Sequence, residues 1–176
     1  MKKAHLIGNG PSKQYFPLES DGHLYGCNFA SEEYNLRATF IHDNRVFEHI
    51  IRHNMKLKWP VINRPQQHTR FGDCEGRITV LDTYYPNPGE PTCSSGHMGL
   101  LWLLGNDYRE IHLWGFDSIL SNTIASDSKG KIDGSAPNPL KLPEWGARYE
   151  QILQWCRKCG IKVYAHGEPP LVKELT

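Results

Sequence analysis

The sequence has little of what most often identifies a function. No Walker segment (G-x-x-x-x-G-K-[ST]) occurs, and the G-x-G that starts at Gly8 is not completed. Position 13, where G-x-G-x-x-G needs its third glycine, is Lys13. Neither sign of charge dominates: 20 Lys and Arg against 19 Asp and Glu give a formal charge of +1, so no overall field draws nucleic acid or a membrane surface. No apolar run approaches the ~18 residues of a membrane span, and Met1-Lys2-Lys3 leads into a short run broken at Gly8. Five cysteines are an odd number without framework spacing. Cys156-Arg157-Lys158-Cys159 has the C-x-x-C form but no second ligand pair for zinc, and it closes a helix where a redox pair would open one. These absences lead us to expect a soluble cytoplasmic protein with free thiols. Its 176 residues suffice for one domain with a real core.

What is present begins with Leu6-Ile7-Gly8-Asn9-Gly10-Pro11-Ser12, which leaves a strand-like run and enters a turn or helix. Gly8 and Gly10 let the backbone turn sharply and approach a ligand without a Cβ in the way. Pro11 suits a first helical position, where no N–H is needed. Unpaired N–H groups at such a start stabilise an anion by dipole and hydrogen bonds together, so the stretch predicts a phosphate cradle, with Asn9 and Ser12 as side-chain donors. The plain alternative is a strand-to-helix turn without a ligand.

His5-Leu6-Ile7, Leu24–Cys27 and Ala38–Ile41 read as successive strands that end in the Gly8 turn, in Asn28 and in His42-Asp43-Asn44. That is the pattern of a doubly wound parallel sheet rather than a sandwich. An amide such as Asn28 at a strand's carboxyl end can face the crevice where open α/β sheets bind ligands. Ser31 is a helix cap, and residues 46–57 carry helical spacing at Val46, Phe47, Ile50, Ile51 and Met55. Val61-Ile62-Asn63 and Ile78–Leu81 read as further strands, Pro65 to Glu75 as a polar connection, and 83–93, with three prolines, as a loop.

The spacing predicts a helix over 95–105, apolar on all sides and therefore packed on the sheet. Ser94 or Ser95 caps it, which places a second set of amide donors at the same edge. Ile111–Phe116 predicts a central strand with Asp117 at its end, and Ser118 to Pro143, rich in Ser, Asn, Asp, Gly, Lys and Pro, predicts a lid. Trp145, Tyr149, Ile152, Leu153 and Cys156 form the stripe of a last helix, Ile161–Ala165 closes the sheet, and the tail from His166 reads as peripheral.

Three pieces, Gly8-Asn9-Gly10-Pro11-Ser12, Cys27-Asn28, and Ser94-Ser95-Gly96 with Tyr108 to Asp117, together resemble one family group. It comprises the bacterial lipooligosaccharide sialyltransferases that use CMP-sialic acid and the related Rossmann-like proteins that include hydroxymethylpterin diphosphokinase. The resemblance runs over roughly residues 4–117 and more weakly to about 165. It implies a single Rossmann-like α/β domain over 1–176, helices on both faces of a mainly parallel twisted sheet, a lid over about 118–143, and catalysis without a metal. It also implies Asn9, Gly10 and Ser12 at the phosphate and ribose, Asn28 at the phosphate or nucleotide, and Ser94, Ser95 and Gly96 along the base and ribose. A further family asparagine maps onto Ile41-His42-Asp43-Asn44, where His42 or Asn44 takes the contact, and an Asp here is closer to the pterin-kinase branch. Two departures weaken sialyl transfer. The family's catalytic histidine falls in Leu142-Pro143-Glu144-Trp145-Gly146, which has none, and its tyrosines after the Gly-x-Asp strand are replaced by Ser118 and Ile119.

Glycosyl transfer from a nucleotide sugar requires a base for the acceptor hydroxyl and stabilisation of the departing phosphate. Asp43, His42 and Asp117 are the candidate catalytic groups, and His97, in the first turn of the buried helix, is a further one. Their blander roles are a helix cap for Asp43, a carbonyl partner for His42, a loop anchor for Asp117 and packing for His97. The expected ligand is a nucleotide or nucleotide sugar, a CMP-sugar above others, with a glycan or small-molecule acceptor, no nucleic acid and no cofactor. The alternatives are a pyrophosphoryl or nucleotidyl transferase in which Asp43 and Asp117 hold Mg²⁺, or a nucleotide-binding protein without chemistry. A homo-oligomer is compatible with all three.

Overall fold

A computed structural model describes residues 1–17, 19–29, 33–85, 94–121 and 142–176. Eight strands form one sheet: β1 (Lys3–Ile7), β2 (His23–Cys27), β3 (Ala38–Ile41), β4 (Val61–Asn63), β5 (Val80–Thr83), β6 (Glu110–Trp114), β7 (Lys162–His166) and β8 (Val172–Glu174). Their order is β5-β4-β3-β2-β1-β6-β7-β8, and every neighbouring pair is parallel except β7 with β8. The chain winds outward from β1 to β5, then returns to place β6 on the other side of β1, so the winding reverses between β1 and β6. In open α/β sheets ligands bind beyond the strands' carboxyl ends at such a reversal.

The helices are α1 (Asn44–Arg52), α2 (Pro65–Phe71), α3 (Ser95–Gly105), α4 (Asp117–Ser121) and α5 (Leu142–Lys158), with a 3-10 turn at Pro11–Tyr15. On one face, α3 and α5 cover Leu6, Phe40, Ile62, Leu113 and Val163. On the other, α1 buries Val46, Phe47 and Ile50 against Ile41 and Val61, while Phe16 packs on Ile7 and Trp114. Strand residues alternate between the faces because the side-chain period of a strand is two. Gly99 lets α3 approach the sheet closely, since a Cβ there would stand 2.8 Å from the Phe40 ring and 3.2 Å from Leu6.

The α/β class, the mainly parallel sheet and the helices on both faces agree with the sequence reading, and four boundaries differ from it. Asp43 caps α1 by accepting the Arg45 N–H at 2.9 Å, so the helix starts before Val46; it stops at Arg52, and Asn54 is left-handed (φ 52°). The connection Pro65–Glu75 contains α2, which buries only Gln67 and so shows no apolar stripe, although Pro65 stands at its first position. β5 lies two residues later than Ile78–Leu81. The tail adds antiparallel β8 and buries Leu175 against the core, where the Leu175 N–H bonds the Val163 carbonyl at 2.8 Å. The expected lid keeps α4 and the start of α5 at its ends, and its residues 122–141 lie outside the described residues, as do Ser31 and most of the 83–93 loop. Cys27, Cys74, Cys156 and Cys159 carry free thiols; burial pushes Cys156 up to about 12. Among the described residues no helix is long and apolar enough to cross a membrane.

Candidate functional site

The carboxyl edge of the sheet brings the two sequence-predicted corners together. The Gly8 turn leaves β1, and Gly115-Phe116-Asp117 leaves β6 beside it. A Cβ on Gly8 would come within 3.1 Å of the Phe116 ring and one on Gly96 within 2.7 Å of it. The buried Phe116 ring therefore separates the glycine turn from the amino end of α3. Asn9 donates through Nδ2 to the Cys27 carbonyl at 3.2 Å, tying the end of β1 to the end of β2. Next along, Asn28 adopts φ 53°, a conformation asparagine tolerates better than most residues. Its Oδ1 accepts the Ser95 hydroxyl at 2.9 Å, and the Ser95 Oγ in turn accepts the His42 N–H at 3.0 Å. One serine thus joins α3 to the ends of β2 and β3.

The phosphate cradle expected at Gly8 to Ser12 is occupied by the chain itself. Gly8 N–H donates to the Trp114 carbonyl at 2.6 Å and Gly10 N–H to the Gly115 carbonyl at 2.9 Å. Asp117 Oδ2 accepts the Ser12 N–H at 3.2 Å and the Ser12 hydroxyl at 2.9 Å, and Ser12 Oγ accepts the Gly115 N–H at 3.0 Å. Pro11 has no N–H to offer, and Ser12 is only 3% exposed. The Asp117 carboxylate therefore stands where an incoming anion was expected, and the reversal between β1 and β6 is laced shut. Gly10 is required for this arrangement, because a Cβ there would collide with the Asp117 carboxylate and stand 2.7 Å from the Gly115 carbonyl.

The amino end of α3 differs. Ser94 caps it: its Oγ accepts the His97 N–H at 3.4 Å and also meets His97 Nδ1 at 2.5 Å. His97 Nε2 contacts the Trp145 carbonyl at 3.1 Å, and a carbonyl only accepts, so the proton sits on Nε2 and Nδ1 accepts the Ser94 hydroxyl. Burial is the main cause that pushes His97 down to about 4, so the ring is neutral at pH 7. The first-turn amides of Ser95 and Gly96 lie outside the helix ladder and carry the positive end of its dipole. Gly96 owes its identity to packing, since a Cβ would stand 2.5 Å from the Tyr149 hydroxyl.

The three candidate catalytic groups fare differently. Burial tends to raise the Asp43 pKa, but hydrogen bonds from the Arg45 side chain and backbone outweigh it and hold the carboxyl below the usual range; its Oδ2 lies 2.7 Å from Arg45 Nη2. Asp117 is engaged by Ser12. His42 alone of the three has no side-chain hydrogen bond among the described residues, and burial, then the Arg64 charge, push it down to about 4. Its backbone is fixed at both ends, by Ser95 at the N–H and by Gln67 Nε2 at the carbonyl at 2.6 Å. Gln67 also donates to Asn44 Oδ1 at 3.2 Å, so Asn44 belongs to this edge. The sequence reading did not single out Gln67, Asn63 or Arg64; a lone arginine between a strand and a proline was the only signal available.

The fold resembles that of sialyltransferases. The sialyltransferase CstII from Campylobacter jejuni, in complex with the substrate analogue cytidine 5'-monophosphate, superposes with a TM-score of 0.54 at 15% identity, over 97% of this chain and 82% of that one. A point variant of α-2,3/8-sialyltransferase CstII gives 0.55 at 17% identity, over 97% and 83%. Thiamine pyrophosphokinase from Bacillus subtilis gives 0.44 at 14% identity, over 95% and 61%. No protein-family model and no characterised sequence matches the chain. At these identities the likeness is one of fold. Of the positions where the sequence departs from the sialyltransferase pattern, Ser118, Ile119 and Trp145 line a cavity of about 350 Å³ between α4, α5 and β8, with Tyr149, Arg157 and Lys173. Tyr149 walls this cavity and reaches Gly96, and His97 stacks on it with ring centroids 3.8 Å apart. Among the described residues no group of three or more His, Cys, Asp or Glu is arranged to hold a metal ion.

Proposed function

We propose that the carboxyl edge of the sheet, at the amino end of α3, binds a nucleotide or nucleotide sugar, CMP-sugars first, and that the protein transfers the sugar to a hydroxyl acceptor without a metal. The observation that carries this reading is the convergence of Asn28, His42 and the α3 amino end through the single hydroxyl of Ser95. A fold similar to that of a sialyltransferase with a cytidine nucleotide bound supports it. Because the glycine turn is occupied by Asp117, the ligand's phosphate falls to the amides of Ser95 and Gly96, with Asn9 and Asn28 toward the ribose. Transfer breaks the bond from the sugar's anomeric carbon to the phosphate oxygen, and the helix end stabilises the charge left on that phosphate. His42, neutral and without a side-chain hydrogen bond among the described residues, is the group assigned the acceptor's proton, a weak base while burial holds it down to about 4, and Asp43 and Asp117 position the loops that frame it.

A thermal-shift screen over CMP, UMP, GDP, ATP and CMP-sialic acid, with and without Mg²⁺, tests the reading. A ligand at 100 times its Kd adds about 2.7 kcal/mol of stability. Stabilisation by cytidine nucleotides without Mg²⁺ is the expected result. Stabilisation by ATP with Mg²⁺ alone would instead support pyrophosphoryl transfer, and CMP binding without turnover of any CMP-sugar would leave a binding protein.

A further inference from the structure

The sheet face opposite α3 and α5 carries histidines from three neighbouring strands. His5 of β1 pairs in register with His112 of β6, and His166, the last residue of β7, pairs with Trp114, two residues along β6 from His112. Strand side chains alternate, so these residues and Tyr164 share one face. The His5 and His112 rings stack with centroids 5.0 Å apart, His166 stacks on Trp114 at 3.8 Å, and His112 Nδ1 lies 2.7 Å from His166 Nε2.

The partners fix every tautomer. Glu110 Oε1, 2.9 Å from His112 Nε2, only accepts, so that nitrogen carries the proton and Nδ1 of the neutral ring is a lone pair. His166 then donates to it through Nε2, which leaves its own Nδ1 as a lone pair with no hydrogen bond among the described residues. His5 differs: its Nε2 donates to the Asp21 carbonyl at 2.7 Å, and its Nδ1 accepts the Trp114 indole N–H at 3.2 Å. His5 is also buried, whereas His166 is partly exposed. The other titratable groups on this face are Lys3, paired with Glu110 at 3.2 Å and with Asp21 at 2.9 Å, Lys162 and Tyr164 of β7, Glu174 of β8, and Tyr15 and Tyr34 around Phe16 and Trp114. Of these groups only Glu110 hydrogen-bonds either ring.

A proton that joins His166 Nδ1 therefore breaks no bond. The Nε2 proton can cross to His112 Nδ1, which moves the positive charge to the ring beside the Glu110 carboxylate. A second proton has no such outlet: it ends the N–H···N bond and sets two cations side by side, with Lys3 nearby.

We propose that His112 and His166 form an acid-operated latch between β6 and β7, in which one proton shared beside Glu110 keeps the rings joined and a second releases His166 and the β8 strand it pairs with. The pair titrates in two steps that belong to both rings. Burial first, and then the charges of His112, His5 and Lys3, push His166 down to about 4. That lies below the ordinary 6.5 of the unfolded chain, so the latch's contribution is full above about pH 6.5 and is lost as pH falls toward 4. All three residues of β8 are exposed, so little else there resists opening.

The test records imidazole 15N–1H correlation spectra and amide hydrogen exchange between pH 7.5 and 4 for the wild-type chain, His166→Gln and His166→Phe. At pH 7.5 both His112 and His166 should be Nε2–H tautomers, and on acidification their resonances should move together in two steps. Protection of the β8 amides should fall about tenfold toward pH 4, as the loss of one hydrogen bond implies. A glutamine amide can donate to neutral His112 or accept from the protonated ring, so His166→Gln should hold that protection nearly level. His166→Phe keeps a ring on Trp114 without the link and should show the loss already at pH 7.5. The proposal is overturned if the two rings titrate independently, if His166→Phe is as protected as the wild type at pH 7.5, or if His166→Gln loses protection with acid as the wild type does. The spectra and His166→Gln decide the matter even if His166→Phe fails to fold.

Discussion

Asp117→Ala should destabilise the protein by removing the acceptor that closes the glycine turn. Two donors of Ser12, its N–H at 3.2 Å and its hydroxyl at 2.9 Å, bond the Asp117 carboxylate, and Ser12 is 3% exposed. Hydrogen bonds to charged groups contribute about 1.5–3 kcal/mol each. Asp117 is itself only partly buried, so water can reach the vacated position, and the lower end of that range applies to both bonds. The expected loss is about 3 kcal/mol, or roughly 6–12 °C in Tm for a chain of this size. Asp117→Asn retains an acceptor and should lose about 1 kcal/mol. Urea unfolding of both variants, and of each in a Ser12→Ala background, gives the coupling directly; residues in one hydrogen-bond network typically couple by about 0.5–3 kcal/mol. A loss below about 1 kcal/mol for Asp117→Ala, or one that simply adds to that of Ser12→Ala, would refute the lock.

Acid should destabilise the fold through His97. Its folded pKa, about 4, lies below the ordinary value of 6.5, so the unfolded chain takes up the proton first. Stability is therefore full above about pH 6.5, falls as pH drops toward 4, and levels below; for this fully buried ring the total is about 3 kcal/mol. Urea midpoints between pH 7.5 and 4.5 check this, and His97→Gln should reduce the slope without abolishing it, because burial also pushes His42 and His166 down to about 4; an unchanged slope would contradict it. Gly96→Ala gains up to about 1 kcal/mol of helix propensity, but its Cβ meets the Tyr149 hydroxyl at 2.5 Å and Phe116 at 2.7 Å. Overpacking of about 1–3 kcal/mol outweighs the gain, so Tm should fall and nucleotide binding weaken, as calorimetry and titration can read together; a rise in Tm would contradict the packing argument.

The strands and α3 were legible in the sequence because their signals are local. Ala38–Ile41 is a run of four buried residues bounded by polar ones, and α3 is mostly apolar behind a serine cap, with Ser95 and His97 its polar exceptions. α2 was not legible, because Gln67 is the one residue it buries and a 3.6-residue apolar period needs more. β8 was missed because all of its residues are exposed, and only the following Leu175 enters the core. The candidate site was legible as an edge of the sheet, from strand ends at Gly8, Asn28, His42 and Asp117. What the sequence could not show is which groups neutralise one another. Ser12 and Asp117 are 105 positions apart, and nothing local in the glycine turn announces that a carboxylate from the start of α4 fills it.

The most direct test of the account is an amide NMR titration of the wild-type chain with CMP. The account predicts saturable shifts at Ser95 and Gly96, with Asn9 and Asn28 following, while the Ser12 and Gly10 amides, bonded to Asp117 and Gly115, move little. Shifts centred instead on Lys173 and Arg157 around the α5 cavity, or no saturable shift at millimolar CMP, would contradict it.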